Sequence, residues 1–160
     1  MFVSRQIERD GAGGVRVRFH EGEVLMLREL LGELEAMLDD PDDPALRRLF
    51  PRAHDDPESE EQYRSLVHDQ LVEGRSRAAA TMRDTLRKDT LTAEEADAWL
   101  RALNDLRLVL GTRLDVTEDL DYENLDLNET RGRDLAVYGY LTWLQEQLVE
   151  ALSYQDGTGN

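Results

Sequence analysis

The chain has 160 residues, with 19 Lys and Arg against 35 Asp and Glu, and its formal charge of −16 sets it against broad contact with nucleic acid or an anionic membrane surface. It contains no cysteine, which removes disulfides, thiolate metal sites and thiol-based sensing, and fits a reducing compartment. The length suits one domain with a real core, no run approaches the roughly 20 apolar residues of a membrane span, and the N-terminus lacks the layout of a signal peptide, so we expect a cytoplasmic protein.

The first twenty residues read as a β-hairpin. "FVSRQIER" and "VRVRF" flank "DGAGG", whose glycines can take the positive φ of a tight turn. Val15, Val17 and Phe19 alternate with Arg16 and Arg18, giving one buried and one wet face. A two-stranded hairpin is marginal alone and must lie on helices. From about Glu21 to Leu38 the period becomes helical, with Val24, Leu27, Leu31, Leu34 and Leu38 on one stripe. "DDPDDP" ends that helix, and Asp43-Pro44 opens a short one that stops before Pro51. Asp56-Pro57 opens a longer helix that can reach Lys88. Its inward stripe runs Tyr63, Leu66, Val67, Leu71, Gly74, Ala78, Met82, with Gly74 and Ala78 small enough to admit a neighbouring helix closely.

Thr92 and Glu95 form a capping-box pattern for the next helix, which contains "WLRALNDLRLVLGTRL", Trp99 to Leu114. Trp99, Leu103, Leu106, Leu110 and Leu114 share one arc, and Leu100, Leu108 and Val109 widen it until only Arg101, Asp105 and Thr112 form a wet strip. A helix apolar on most sides is a central one. An acidic connection over 115–129 follows, and a last helix runs from about Arg133 to Tyr154. The expected fold is mainly α: a bundle of four substantial helices and one short helix, with the hairpin (1–20) packed on it. It makes a single domain over 1–154 and leaves a polar tail over 155–160.

Three groups of residues are candidate sites. Arg107 starts from a dry position on its helix, where an unpaired cation is costly. It must snorkel along its stem, meet a carboxylate from another helix, or bind an anion. A structural ion pair is the working hypothesis, and neighbouring Asn104 and Gly111 allow a small polar pocket. In the last helix Val137, Tyr138, Leu141, Leu144, Leu148, Val149 and Leu152 form the core arc, while Tyr140, Trp143, Gln147 and Tyr154 form a second, aromatic stripe. That stripe is either a homodimer or partner surface, since Trp and Tyr concentrate at such contacts, or is covered by the hairpin or the acidic connection. The basic segment 75–88 supplies Arg75, Arg77, Arg83 and Arg87 as phosphate contacts for a DNA-associated alternative. Their scatter around the helix instead favours pairing with acidic loops.

Catalytic and cofactor signals are missing. His68-Asp69, with His54 and Asp105, superficially resembles a metal phosphohydrolase set, but its side chains diverge on the wheel. "DLDYENLDLNET" begins like a calcium loop yet has Asn124 where the glycine belongs and Thr130 in place of the bidentate glutamate. "DGAGG" lacks the strand, helix and GK[ST] of a phosphate loop, and no serine sits in a nucleophile elbow. We therefore expect no catalytic residue, no metal and no cofactor, and a protein partner or a second copy as the target, with a DNA-associated regulator as the alternative and a small-molecule or metal-binding enzyme as the third reading.

The helix "WLRALNDLRLVLGTRL", with "RLFP" at 48–51 and "YLTWLQEQLVEAL" at 140–152, resembles an actinobacterial family, domain-of-unknown-function family 2017, over essentially the whole chain. The resemblance implies no enzymatic activity. It implies genes near a Clp-protease adaptor and a sulfur-carrier cysteine-synthesis cluster, and for some members transcriptional regulation linked to oxidative stress. A thiol switch does not transfer to a chain without cysteine. Regulation through protein contact, for example with a sigma factor, survives that departure.

Overall fold

The structure, a computed structural model, describes residues 6–11, 13–40, 43, 57–114 and 130–157, with side chains except at 57, 60, 63–69, 113, 114, 130 and 154–157. The fold is mainly α. Helices α1 (Glu21–Leu38), α2 (Pro57–Thr85), α3 (Ala93–Leu114) and α4 (Thr130–Gly157) are joined by short strands β1 (Ile7–Arg9), β2 (Val15–Val17) and β3 (Thr90–Leu91). The expected hairpin is present, but it is two-thirds of a three-stranded antiparallel sheet of order β1-β2-β3. Ile7 pairs with Val17 across the hairpin, and Val15 pairs with Leu91 on the other side.

The turn works as its glycines suggest. Asp10 N–H bonds Gly14 O at 2.9 Å, Gly13 N–H bonds Asp10 O at 3.1 Å, and Gly13 takes φ +96°. Gly14 serves a different purpose: a Cβ there would sit 2.5 Å from the Leu91 carbonyl oxygen, so only glycine lets β3 come alongside. Val15 and Val17 point into the core while Arg16 and Arg18 stay exposed.

In α1 the predicted stripe is buried in full, joined by Met37. Trp99 is fully buried on α3, stacked on Phe19 with ring centres 5.7 Å apart, and its indole N–H donates to Thr85 Oγ1 at 2.7 Å. The capping box is made as written: Thr92 N–H donates to Glu95 Oε1 at 2.9 Å, and Glu95 N–H to Thr92 Oγ1 at 3.1 Å. Helix α3 is central, packed between α2 and α4 and touched by α1, while β1 lies on α4.

Several expectations need correction. Helix α2 stops at Thr85, short of Lys88. On it Ala78, Ala79 and Met82 are buried, but Leu71 is 40% exposed, and a Cβ on Gly74 would meet nothing within 4 Å, so among the described residues no helix approaches closely there. Asp105, assigned to the wet strip of α3, is instead only 2% exposed. Helix α4 runs on through Gly157, so the first residues of the expected tail are helical. The short helix after Asp43-Pro44 and the acidic connection over 115–129 lie outside the described residues.

Candidate functional site

The aromatic stripe of α4 faces its own chain. Tyr140 is buried and its hydroxyl donates to Glu23 Oε2 at 2.5 Å. Gln147 is buried too, its Oε1 accepting the backbone N–H groups of Gln6 at 2.9 Å and Ile7 at 3.1 Å. Trp143 is half-buried and tilted against Tyr140, ring centres 6.4 Å apart. The Tyr154 side chain lies outside the description. Helix α1 meets the stripe at Tyr140 through Glu23, and the hairpin meets it at Gln147 through the Gln6 and Ile7 N–H groups. Those two residues are therefore not a free partner surface.

Glu23 is a hub that the sequence did not announce. Besides Tyr140 it accepts from the Gln6 amide at 2.7 and 2.8 Å and from His20 N–H at 3.0 Å. Burial pushes its carboxyl up, but the hydrogen bonds from Tyr140, the His20 backbone and Gln6 outweigh that and hold it below its ordinary value. For Tyr140, burial and the neighbouring carboxylate both push the phenol well above its usual range.

The basic segment is tied to carboxylates of the same chain. Arg75 bonds Asp105, Arg77 bonds Glu73 at 2.7 Å, Arg83 bonds both oxygens of Glu35 at 2.6 and 2.7 Å, Arg87 bonds Glu21, and Lys88 bonds Glu95 at 2.7 Å. Four of these pairs link α2 or the turn after it to α1 or α3, where the sequence suggested acidic loops. Arginines committed to carboxylates within their own fold are poorly placed for phosphates.

Arg107 differs. It is half-buried on the side of α3 that meets α4, and its described partners are neutral. Its Nε donates to Thr142 Oγ1 at 3.0 Å, its Nη1 to Gln145 Oε1 at 2.5 Å, and its guanidinium carbon lies 5.7 Å from the Tyr138 ring centre. The expected ion pair is not found among the described residues; two side-chain oxygens and a ring face take its place, aided by the solvent that a half-buried group keeps. Gly111 lies on the same edge, where a Cβ would come within 3.1 Å of the Tyr138 ring. Asn104 does not share that edge. It lines a cleft between α2 and α3 with Arg75, Arg101 and Asp105, and the lining of that cleft does not include Arg107.

The pairings Arg107–Thr142 and Gly111–Tyr138 make α3 and α4 antiparallel. That register brings Leu100 level with Val149, which is 44% exposed. Leu100, Gln145 and Leu152 along the same seam are half-buried. The seam is a partly apolar strip with one cation in its middle. Among the described residues no three His, Asp or Glu side chains gather as a metal set, and no helix is long and apolar enough to cross a membrane. His68, Asp69 and the 115–129 acids lie outside the described side chains.

The model of the family described as Domain of unknown function (DUF2017) matches residues 4–152. The chain belongs to this family. "Putative oxidative stress regulator AosR" of Mycobacterium leprae (strain TN) is 30% identical over 195 aligned positions, covering 94% of this chain and 89% of that protein. "Oxidative stress regulator AosR" of Mycobacterium tuberculosis (strain ATCC 25618 / H37Rv) is 34% identical over 144 positions, 79% of this chain and 66% of the relative. The Mycobacterium bovis relative of the same name matches with the same figures. This chain thus spans slightly less than two-thirds of the M. tuberculosis and M. bovis proteins. No solved structure matches it.

Proposed function

We propose that this member of the DUF2017 family is a non-enzymatic regulatory protein that works by contact with another protein, and that the contact is made on the α3–α4 seam around Arg107. The observation carrying this reading is the set of neutral partners around a half-buried guanidinium. The chain has 35 acids for its 19 Lys and Arg, and the cations of the basic segment, with Arg16 and Arg101, each meet a carboxylate. A cation surrounded by neutral groups in such a chain suits a carboxylate brought from outside, flanked by apolar side chains that cover Leu100 and Val149.

The partner is therefore a protein segment carrying Asp or Glu between apolar residues. Regulation as the purpose is supported by the names of the relatives. A thiol switch has no residue in these 160 positions.

Affinity co-purification from the native host, comparing wild type with Arg107→Met and Trp143→Ala, tests the reading. Mass spectrometry reports retained proteins, absorbance reports nucleic acid, and a photo-cross-linker placed at position 108 reports the segment in contact. The expected result is one partner retained by wild type, lost with Arg107→Met, and cross-linked through an acidic segment. The same retained set for wild type and Arg107→Met overturns it, as does retention of nucleic acid alone.

A further inference from the structure

Helix α3 is apolar on two opposite sides, and only one of them is covered among the described residues. Leu106, Val109 and Leu110 line one crevice with Leu30 and Leu34 of α1 and Leu141 of α4. Two residues turn a helix by about 200°, so Asn104 and Leu108 point away from α1. Asp105 meets α2 through Arg75, and Arg107 meets α4 through Thr142, on roughly opposite flanks of α3. Helices α2, α3 and α4 therefore form a layer, with α1 and β1 against one face of it. No described element lies on the other face.

That second face is apolar where it should be wet. Leu71 on α2 and Val149 on α4 stand exposed there, and Leu100 and Leu108 of α3 are half-buried between them. A cleft of about 470 Å³ runs along its α2 side, past Leu71, Gly74 and Asn104, and Gly74 has open space over it. The pairs Thr85–Trp99 and Arg75–Asp105 make α2 and α3 antiparallel, which sets Leu71 level with about Leu108. Val149 is level with Leu100. The two exposed side chains thus occupy opposite corners of the layer, joined across α3 by Leu108, Asn104 and Leu100.

This diagonal has the dimensions of a short helix. Two interaxial spacings of about 8–10 Å across, with a rise of about 12 Å along α3, give a path of about 20 Å. That is the length of about 14 helical residues, or of about six in an extended segment. Its slope against α3 is about 55°, close to the crossing angle that interlocking helix ridges favour.

We infer that an acidic amphipathic α-helix of the partner docks along this diagonal, an inference that rests on the proposed contact at the α3–α4 seam. Its apolar stripe covers Leu71, Leu108 and Val149, and a carboxylate near its middle meets Arg107. Arg107 has neutral described partners, whereas Arg101 already holds Asp97. A basic helix would bring like charge to Arg107, and a second copy would set two chains of formal charge −16 against each other. An extended segment would need a sheet edge for its backbone groups, and none lies on this face among the described residues.

The test uses the full chain in its native host, with a photo-cross-linking residue at position 71, 108 or 149, and mass spectrometry maps the captured peptides. The expected result is one partner segment reached from all three positions, the residues reached from 71 and from 149 standing about 14 apart. A synthetic peptide of that segment should gain helical circular dichroism on the full chain. Leu71→Glu, at an exposed position, should weaken that peptide's binding at least about tenfold while the protein's own melting curve stays unchanged. A separation of about six residues overturns the inference in favour of an extended segment. So does capture from 149 but not from 71, capture of a second copy or of this chain's own residues, or undiminished binding by Leu71→Glu. In each of these cases the seam contact stands if Arg107→Met abolishes capture of a partner. Capture undiminished by Arg107→Met, or no capture from any position, brings down the seam contact and the helix with it.

Discussion

Gln147 and Ile7 stand 140 positions apart, yet the side-chain oxygen of one accepts the backbone N–H of the other at 3.1 Å. The same oxygen takes Gln6 N–H at 2.9 Å, so a single amide closes the outer edge of β1 onto α4. An edge strand of three residues has few other means of staying in place. We expect Gln147→Leu to leave both donors without an acceptor and to cost about 2–4 kcal/mol. Denaturant unfolding should show the loss, and hydrogen exchange should show the Ile7 amide losing its protection. An unchanged midpoint would mean that water replaces the clamp at no cost.

Acid should weaken the same corner of the molecule. Glu23 is held below its ordinary value of 4.5 because its hydrogen bonds from Tyr140, the His20 backbone and Gln6 outweigh burial. A carboxyl depressed in the folded state contributes stability that is fully present above its unfolded value and lost as pH falls through the folded one. Stability measured between about pH 7 and pH 3 should therefore drop on the acid side. Glu23→Gln should flatten that part of the drop, and Tyr140→Phe should lessen it, at a cost near neutrality of about 1.5–3 kcal/mol. A Glu23→Gln profile parallel to wild type would remove Glu23 from the account.

These two contacts also mark where sequence reading succeeds and stops. The α1 stripe, the Thr92–Glu95 box and the alternation of Val15 and Val17 are legible because each depends on neighbours within one element. The aromatic stripe of α4 is visible in the sequence as a second face, but no local pattern tells what covers it. Tyr140 and Gln147 have polar tips, and only the fold reveals that Glu23 and the β1 backbone meet them. Asp105 failed for the same reason. A wheel puts a carboxylate on the wet side, and its partner Arg75 belongs to another helix. Leu71 falls on the apolar stripe of α2 yet is exposed, because periodicity cannot say where a neighbouring helix leaves a cleft. Strand β3, two residues long, is too short to alternate.

The Arg75–Asp105 pair should be far more costly to break than to replace. Burial raises the Asp105 carboxyl despite Arg75, so the group favours the fold when protonated and that contribution is lost as pH rises through its folded value. At neutral pH Arg75 compensates for a charge that would otherwise be buried alone. Arg75→Met should destabilise by about 3–5 kcal/mol at neutral pH. The deficit should shrink in mildly acidic buffer, where Asp105 takes up a proton. Arg75→Met combined with Asp105→Leu should recover most of the loss. A single mutant as stable as wild type at every pH would show that the pair is incidental.

Two glycines should respond to alanine with opposite signs. At Gly14 the added methyl would lie 2.5 Å from the Leu91 carbonyl oxygen and 3.3 Å from the Thr90 side chain. The first obstacle is backbone, so β2 and β3 must separate, and the Val15–Leu91 pairing goes with them. A cost of about 1–3 kcal/mol is expected, the usual range for a forced fit. At Gly32, in the middle of α1, a Cβ would meet nothing within 4 Å. Gly32→Ala should instead gain about 0.5–1 kcal/mol, since alanine loses less backbone freedom in a helix. Melting temperatures of the two variants beside wild type decide it, at about 2–4 °C per kcal/mol for a chain of this size. If Gly14→Ala melts with wild type, β3 does not hold the register described, and the sheet is a hairpin after all.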